Sequence, residues 1–458
     1  MTNNTQTKMT STEWKAIGSI STIMALRMIG LFMMIPIFSL YATGLQNATP
    51  LLIGLALGIY GLFQALFQIP FGALSDRFGR KPIIFTGLLL FVLGSIIAGT
   101  SHSIFWMIVG RSLQGTGAVG ATLLALMADL TREEHRTKAM AIAGISIGFS
   151  FSIALFIGPI LNQWISVGGL FYLAAFLALM GMTMLYFLPT PPRISQIKPR
   201  GQFFSLITHA QLARLNIGIF ILHTLFTATF VVLPIILRNT LGIAAEDQWL
   251  IYLPTLLFAF ACCLIMVSIA ERKQQHRFYF LMSISLLITA EVLLWRYSTQ
   301  LPLIVFSLGC FFTGFSILEA FLPSLVSKIA PPGAKGSALG LYSFAQFSGI
   351  FVGGVMGGWL YGHINFQAVY LCCALLASLW LLIAFSMQTT RITTHMLKLH
   401  PTRLKGWESI AAQLQKLSAV HEVTFVAEEG IVYIKIEREV LQNPSFIALK
   451  EAAQSACP

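Results

Sequence analysis

The chain has 458 residues, of which 56% are hydrophobic and 10% are charged. A water-soluble domain is about 45–50% apolar even when glycine is counted, so this composition excludes an ordinary soluble protein. The formal net charge of +12 would suit nucleic-acid binding, but residues 395–458 contain seven basic and seven acidic residues, and the excess lies in the apolar remainder. Such an excess is typical of the cytoplasmic loops of a membrane protein, and we expect no nucleic acid as a partner.

Long apolar runs predict the membrane topology. A bilayer core about 30 Å thick requires roughly 20 apolar residues in each helix. Runs of this length predict twelve spans, at 16–42, 51–73, 83–101, 104–128, 139–163, 168–188, 214–238, 248–270, 278–297, 301–327, 336–361 and 366–388. The residues before the first span lack a cleavage site after a short apolar stretch, so we interpret them as a cytoplasmic tail and not as a removed signal peptide.

The charges of the loops orient the chain. The loops after spans 2, 4, 6, 8 and 10 each contain at least two basic residues, whereas the opposite loops hold only Arg238 and Arg296. By the positive-inside rule, the basic loops are cytoplasmic. An even number of spans returns the chain to its starting side, so both termini are predicted to be cytoplasmic.

A polar linker divides the spans six plus six. The stretch PTPPRISQIKPRGQ at 189–202 is rich in proline and basic residues, which is typical of a semi-rigid linker. We therefore predict an N-terminal six-helix half at 1–189, a cytoplasmic linker at 190–213 and a C-terminal six-helix half at 214–389. Two six-span halves are the repeat architecture of many secondary transporters.

Beyond residue 390 the sequence pattern changes. Apolar residues recur at helical spacing over 407–417, and Asn443-Pro444 is typical of a helix start. Three β-rich stretches predict strands, at 395–399, 423–427 and 431–437. The order β-α-β-β-α makes residues 390–458 most of a small α+β, ferredoxin-like cytoplasmic domain, and we expect it to regulate transport or to self-associate. The fold class is thus an all-α membrane protein with this domain appended.

The turn between spans 2 and 3, GALSDRFGRKP at 72–82, concentrates charge. Its glycine and charged residues are Gly72, Asp76, Arg77, Gly79, Arg80 and Lys81. The positive-inside rule explains the three cations but neither the aspartate nor the spaced glycines. The ordered pattern resembles the signature between the second and third helices of the major facilitator superfamily.

Two further motifs carry the same resemblance. Arg111-Ser-Leu-Gln114-Gly115-Thr-Gly-Ala in span 4 resembles the RxxQGxGA pattern of the superfamily, and Gly158-Pro159 in span 5 resembles its antiporter motif gxxxGPxxGG. The chain departs from the latter at 160–163, where ILNQ replaces the trailing glycines. The resemblance implies a multi-pass transporter of the bacterial inner membrane, of the drug:proton antiporter type, whose partners are a small-molecule substrate, protons and the bilayer.

The resemblance also implies a role for the turn. In the superfamily the acid and the second arginine of this motif form a charge relay with an acid at the end of span 4, which corresponds here to Asp76, Arg80 and Asp129. The motif acid also faces the positive N-terminus of span 11, near Gly336. An acid at a helix N-terminus gains about 0.3–1 kcal/mol, so this contact would stabilise the outward-open state.

Ionisable residues deep in spans are functional hypotheses by default. Arg27, Arg111, His223 and Glu319 fall on spans 1, 4, 7 and 10, the helices that line the cavity in the superfamily. A buried carboxylate holds a proton more readily than an exposed one, so Glu319 is the first proton-coupling candidate and His223 is the second. A Glu319 neutralised by Arg27 is the open alternative.

Other residues complete the predicted cavity and its edge. We interpret Arg111 as a structural or relay cation, and Glu291 with Arg296 as an interfacial pair. The remaining predicted lining residues are Tyr60, Phe63, Gln64, Phe315, Tyr342 and Gln346. Aromatic and amide side chains of this kind suit lipophilic substrates, cationic ones included.

Three functions compete. A proton-coupled exporter of lipophilic small molecules leads. A proton-coupled symporter of a nutrient or anion is an alternative because of Arg27 and Arg111. A membrane sensor is a second alternative because of the appended domain. The six cysteines lack zinc-site or disulfide spacing, and we find no phosphate loop, metal cluster or nucleophile–base pattern. We therefore expect no enzyme, no metal and no cofactor, and nothing resembles the filter of a channel.

Overall fold

The computed structural model describes residues 9–190, 206–273, 275–330 and 335–386, three strands beyond them, and the single positions 414, 444, 446 and 447. Most of the predicted linker and of the predicted tail helices lies outside the described residues. The helices are α1 Ser11–Phe32, α2 Ile35–Ala42, α3 Pro50–Phe78, α4 Arg80–Gly99, α5 Ile104–Thr116, α6 Gly120–Asp129, α7 Glu133–Asn162, α8 Val167–Phe187, α9 Ala210–Asn239, α10 Trp249–Lys273, α11 His276–Tyr297, α12 Leu301–Ile329, α13 Lys335–His363 and α14 Phe366–Phe385.

Eleven helical segments of the described chain are long and apolar enough to cross a membrane, with α1 and α2 counted as one. The stretch predicted as one span at 104–128 is divided into α5 and α6, so it is not among these eleven helical segments. The break lies at residues 117–119, where the Gly117 carbonyl accepts a hydrogen bond from Arg27 Nη2 at 3.1 Å. The length of an apolar run can be read from the sequence, but a break in the helix within that run cannot. The sequence therefore indicated one continuous helix.

The helices of the N-terminal half pack through close backbone contacts. α4 packs against α5 and α8, while α1 packs against α7 and α8. A Cβ on Gly110 would lie 2.7 Å from the Ala98 backbone nitrogen, and one on Gly94 would lie 2.5 Å from the Gln114 nitrogen. Small residues allow membrane helices to approach this closely, so these glycines set the distance between α4 and α5.

The α9–α13 pair of the C-terminal half packs in the same way. A Cβ on Gly353 would lie 2.9 Å from the Thr224 Cα. Thr224 Oγ1 also donates to the Gly349 carbonyl at 3.2 Å. On the other side of this half, α11 packs against α14.

Glycines of α3 and α13 join the two halves. A Cβ on Gly54 would meet the Gly354 carbonyl and lie 2.9 Å from the Gly358 Cα, and a Cβ on Gly354 would lie 2.9 Å from the Gly58 Cα. This set of four glycines lies near the start of α3, and the charged turn lies at its other end. We call this set of glycines the distal contact, and we call the side of the membrane layer on which it lies the distal side. The close backbone approach of α3 and α13 closes the distal side at this point.

The described part of the tail contains a three-stranded sheet. The strands are β1 Ile392–Lys398, β2 Val420–Val426 and β3 Ile431–Glu437. β3 lies between the other two and is antiparallel to both. Two described residues of its centre, Val432 and Ile434, are buried. The predicted strands overlap these three, although β1 and β2 each begin three residues earlier.

An ion pair fastens the start of α1 to the start of α7. Thr10 caps α1 in a capping box with Glu13. The Glu13 carboxylate is buried and also accepts from Arg132, through its backbone nitrogen and Nε, both at 3.0 Å to Oε1, and through Nη2 at 3.0 Å to Oε2. Donors of both Thr10 and Arg132 thus converge on one carboxylate, which the sequence pattern did not reveal.

We expect Glu13→Ala to lower the stability of the helical bundle. Hydrogen bonds to a charged group contribute about 1.5–3 kcal/mol, and this substitution removes several of them at once. The midpoint of heat-induced unfolding in detergent should fall by several degrees, whereas Lys15→Ala, at an exposed site in the same turn, should leave it unchanged. An equal midpoint for Glu13→Ala and wild type would mean that the Glu13–Arg132 ion pair does not stabilise the bundle.

Candidate functional site

Glu319 and His223 lie side by side, on α12 and α9. Glu319 Oε1 is 3.4 Å from His223 Nε2. His223 Nδ1 lies 3.3 Å from the Ile219 carbonyl, which places the proton of a neutral ring on Nδ1 and leaves Nε2 as an acceptor. The Gln346 amide nitrogen is 3.0 Å from this Nε2. α9, α12 and α13 therefore meet at one imidazole ring.

The surroundings of this acid are aromatic but not closed. The Phe315 ring lies 5.6 Å from the His223 ring and stacks against Phe151 of α7 at 5.6 Å. One third (33%) of the Glu319 side chain is accessible, and its Oε1 has no hydrogen-bond partner among the described residues. The Tyr342 hydroxyl is buried and likewise unpartnered within this part of the chain. A carboxyl side chain that is partly accessible and has a buried oxygen without a partner is a candidate for proton exchange.

Arg27 lies against α3 and not against Glu319. Its Nη2 donates to the Tyr60 hydroxyl at 3.0 Å, to Gln64 Oε1 at 2.7 Å and to the Gly117 carbonyl. The side chain is buried, and these are neutral partners. The structure thus does not bring Arg27 and Glu319 together, and the alternative in which one neutralises the other does not hold in this conformation.

Arg111 is bonded through all three of its nitrogens. Nε and Nη2 donate to the Ala56 and Leu57 carbonyls at 3.4 and 3.3 Å, and Nη1 donates to Gln114 Oε1 at 3.0 Å. Gln114 in turn donates to Ser95 Oγ at 2.7 Å. The guanidinium therefore fastens α5 to α3, and Gln114 fastens α5 to α4, which is the structural arrangement predicted for this motif.

The glycines of the span 4 and span 5 motifs lie at backbone contacts. A Cβ on Gly115 would meet the Tyr60 carbonyl and lie 2.9 Å from Phe63 Cβ. A Cβ on Gly158 would meet the Met33 carbonyl at the junction of α1 and α2, and Pro159 follows inside α7. Both motifs therefore allow close helix packing.

The predicted lining residues fall into two clusters that meet at one ring contact. Tyr60 and Gln64 belong to the Arg27 cluster, whereas Gln346 belongs to the Glu319 cluster. The Tyr60 ring touches the Phe347 ring of α13 at 6.3 Å, edge to face. This contact joins the Arg27 cluster to α13, the helix that also carries Gln346.

The charged turn brings the three predicted relay residues into contact. Arg80 pairs with Asp76, and its Nε donates to Asp129 Oδ2 at 2.9 Å. Its Nη1 also donates to Ser75 Oγ at 2.7 Å, a partner that the sequence did not indicate. Gly79 has a φ of 100°, which favours glycine, so the motif glycine makes the tight reversal between α3 and α4.

The remaining motif residues of the turn have separate partners. Lys81 Nζ donates to the Tyr186 and Leu188 carbonyls at 3.2 and 2.7 Å, at the end of α8. The Arg77 guanidinium lies 5.3 Å from the Phe78 ring centre, and Gly72 accepts from Ser75 Oγ. Within the described part of the chain, the charged residues of this turn that group with Asp129 are thus Asp76 and Arg80, and Ser75 adds a hydroxyl to this group.

The sequence model described as Major Facilitator Superfamily matches residues 20–354. The chain belongs to this superfamily. It is 40% identical over 439 residues to "Inner membrane transport protein YajR" of Escherichia coli (strain K12), which covers 94% of this chain and 96% of the relative. It is 27% identical over 357 residues to "Multidrug resistance protein MdtH" of Aeromonas salmonicida, covering 74% and 86% respectively. The chain is therefore a secondary transporter of the superfamily.

Solved structures of superfamily members share the fold. A D-xylose-proton symporter has a TM-score of 0.67 at 14% identity, covering 81% of this chain and 97% of that one. The human organic anion transporter MFSD10 has a TM-score of 0.62 at 17% identity, covering 81% and 99%. At such identities the likeness shows the fold alone, and it leaves substrate and direction to be argued from the chain's own residues.

The interpretation of Glu291 and Arg296 as an interfacial pair is wrong. Glu291 is fully buried, and its Oε1 accepts from Thr229 Oγ1 of α9 at 2.9 Å. Arg296 instead lies with its guanidinium 5.8 Å from the Tyr297 ring centre. Five positions along a helix separate the two residues by about 140° around its axis, so they do not share a face.

Proposed function

We propose that the chain is a proton-coupled exporter of lipophilic small molecules, which works by alternating access in the bacterial inner membrane with both termini cytoplasmic. The observation that carries this proposal is the approach of Glu319 Oε1 to within 3.4 Å of His223 Nε2, in a carboxyl side chain that is one third accessible. The names of two relatives, the inner-membrane transport protein YajR and the multidrug resistance protein MdtH, support the location and the substrate class. Loop charges support the orientation.

Proton coupling follows from the position of the acid between three helices. A protonated Glu319 donates to His223 Nε2 and competes there with the Gln346 amide, so the proton changes how α13 is held to α9. An ionised Glu319 in an aromatic wall requires water or a cationic group, which favours a conformation open to one side. Substrate and proton then occupy the central region in alternation, and each stabilises a different conformation.

The substrate class is inferred from the aromatic side chains near His223 and Glu319. The buried rings of Phe226 and Phe311 pack against Phe315 at 5.1 and 6.2 Å, and Phe315 lies 5.6 Å from the His223 ring beside Glu319. Such surfaces bind flat apolar molecules by stacking, and a carboxylate among them adds attraction for a cation. Lipophilic cations and neutral dyes are thus the first probes.

Anion symport is the second candidate, and one observation favours it. Arg27 is buried in the N-terminal half with the Tyr60 hydroxyl, the Gln64 amide oxygen and a backbone carbonyl as partners, so no carboxylate contacts it among the described residues. An anionic substrate would supply the missing charge. An anion on Arg27 would favour a protonated Glu319, so anion and proton would move together.

Transport measurements in proteoliposomes separate the two candidates. Rhodamine 6G and fluorescein share a xanthene ring system and carry opposite charges. Export predicts that an imposed pH gradient drives rhodamine 6G against the proton flow and leaves fluorescein unmoved. Movement of fluorescein with the protons would replace export by symport, and movement of neither dye would contradict the proposed substrate class.

The domain organisation is part of this proposal. We propose two six-helix halves, a cytoplasmic linker and a ferredoxin-like tail domain. The sheet supports the last assignment, because β1 and β2 run in the same direction on either side of β3, as in a split β-α-β unit. Regulation of transport or self-association remains the proposed role of this domain.

We expect Asp76→Asn to slow transport by disturbing the relay. The substitution removes the charge that pairs with Arg80 and leaves Asp129 as its remaining acid. The Asp76 side chain is 43% exposed, so its pair with Arg80 contributes up to about 1 kcal/mol, and its loss shifts a two-state equilibrium by up to about fivefold. Initial rates of dye transport in proteoliposomes should fall accordingly. Asp247→Asn, at an exposed site, is the control, and an unchanged rate for Asp76→Asn would reduce the turn to a topological signal.

A further inference from the structure

A buried carboxyl group outside the Glu319 cluster is bonded to the part of α9 that precedes Pro234, where a proline inside the helix removes a backbone hydrogen bond and favours a kink. Glu291 of α11 is fully buried, and Thr229 Oγ1 of α9 donates to its Oε1 at 2.9 Å. Its Oε2 has no hydrogen-bond partner among the described residues. Because an isolated buried charge is strongly disfavoured, a carboxyl group with one hydroxyl partner and no cation is a site that holds a proton in this conformation.

Phe230, which follows Thr229 in α9, links the surroundings of Glu291 to the N-terminal half. Pro234 has no backbone N–H, so it leaves the carbonyl of Phe230 without its helical partner. Ser39 Oγ of α2 donates to this carbonyl at 3.1 Å. The bond joins the two halves on the distal side, as the distal contact does, and it is one residue away from the threonine that holds Glu291.

Other polar groups surround the same kink. Gln248 Nε2 donates to the Pro234 carbonyl at 3.0 Å, and the Tyr252 hydroxyl donates to Gln248 Oε1 at 3.1 Å. On α14, the hydroxyl of Tyr370 and the thiol of Cys373 lie within electrostatic range of Glu291, and Tyr252 lies within range of Tyr370. The Tyr370 hydroxyl also has no partner in the described part of the chain.

These groups place a proton site at a hinge. The titratable groups that face Glu291 are a tyrosine and a thiol of α14, with a second tyrosine of α10 behind them, and no described cation contacts it. When Glu291 loses its proton, no nearby cation compensates the new negative charge. The change in charge acts on α9 through the hydrogen bond with Thr229. Any movement that separates α9 from α2 must break the Ser39–Phe230 bond, and this movement gives water a route to the kink.

We propose that Glu291 is a second proton-binding site of this transporter, whose protonation holds α9 in the conformation that closes the distal side. The proton leaves Glu291 for water when the distal side opens, and the carboxylate that forms is stabilised by that water. Proton uptake restores the bond with Thr229 and the closed arrangement of the kink. High pH on the distal side thus favours opening, and low pH favours closure, independently of the direction of transport.

The test measures the distal opening as a function of pH. Cysteines introduced at the exposed positions Thr43 and His363, in a chain that keeps the buried Cys373 and has its other native cysteines replaced, carry spin labels whose separation is measured by electron paramagnetic resonance in detergent. Since one proton is released, the open-to-closed ratio of the wild-type chain should rise by up to about tenfold per pH unit. Glu291→Gln should keep the closed separation and lose this dependence, and Glu246→Gln, an exposed distal acid, should behave as wild type.

Two further variants keep the outcome decisive. Thr229→Val retains shape, removes the bond to Glu291 and should raise the open fraction at every pH. Glu319→Gln should abolish transport and retain the pH dependence of the distal separation, which separates this proposal from the proposed function. An unchanged pH dependence in Glu291→Gln, or none in the wild-type chain, would overturn the proposal.

Discussion

Glu319→Gln is expected to abolish proton-driven transport and to preserve substrate binding. The amide has the shape of the protonated acid and can donate to His223 Nε2, but it neither takes up nor releases a proton. The variant should therefore fold as wild type and remain in the arrangement that belongs to the protonated acid. Dye accumulation driven by a pH gradient in proteoliposomes should fall to the level of empty vesicles. Exchange of labelled for unlabelled dye at equal concentrations, which needs no proton movement, should persist.

Controls distinguish a lost proton from a damaged site. Glu246→Gln removes an exposed carboxylate and should transport normally. His223→Asn removes the acceptor for Glu319 and the partner of Gln346 at once, so it should weaken coupling less completely than the loss of the acid itself. Full gradient-driven accumulation by Glu319→Gln would show that this acid is not the coupling group, and His223 would then be the next residue to test.

Span positions and the superfamily resemblance together predicted part of this site. The apolar runs place Glu319 and His223 deep within spans 10 and 7, the resemblance implies that both spans line the cavity, and the structure brings the two side chains to 3.4 Å. The relay could be located because the motif fixes Asp76 and Arg80 on one turn, and Asp129 follows from the end of span 4. In both cases the information is local or is carried by a short motif.

The rest depends on contacts that are not visible in residue spacing. The partners of Arg27 include the Gly117 carbonyl, and a backbone group exposed by a helix break leaves no trace in the sequence. The interpretation of Glu291 failed because charge proximity along the chain was used to pair it, whereas the rotation of the helix points it at Thr229. A residue's face within a bundle depends on which helices surround it, and a single apolar run does not determine that.

Gly354→Leu is expected to prevent closure of the distal side. A side chain at this position would collide with the backbone of α3, because a Cβ already meets the Gly54 carbonyl and lies 2.9 Å from the Gly58 Cα and backbone nitrogen. Backbone atoms cannot rotate away as a flexible side chain can. Overpacking typically costs about 1–3 kcal/mol, which corresponds to a roughly 5-fold to 150-fold shift between two conformations.

The expected result is a transporter held open on the distal side. Dye transport in proteoliposomes should fall to background, while the labels at positions 43 and 363 should report the long separation at all pH values. Gly18→Leu, at an exposed glycine with no neighbour within 4 Å, introduces the same side chain without a collision and should transport normally. Normal transport by Gly354→Leu would mean that α3 and α13 need not approach during the cycle. The Leu side chain blocks closure directly, whereas Glu291 acts only through the proton that it binds on closure. The double variant Gly354→Leu/Glu291→Gln should therefore remain open on the distal side. This result would show that steric exclusion overrides protonation in determining the distal conformation.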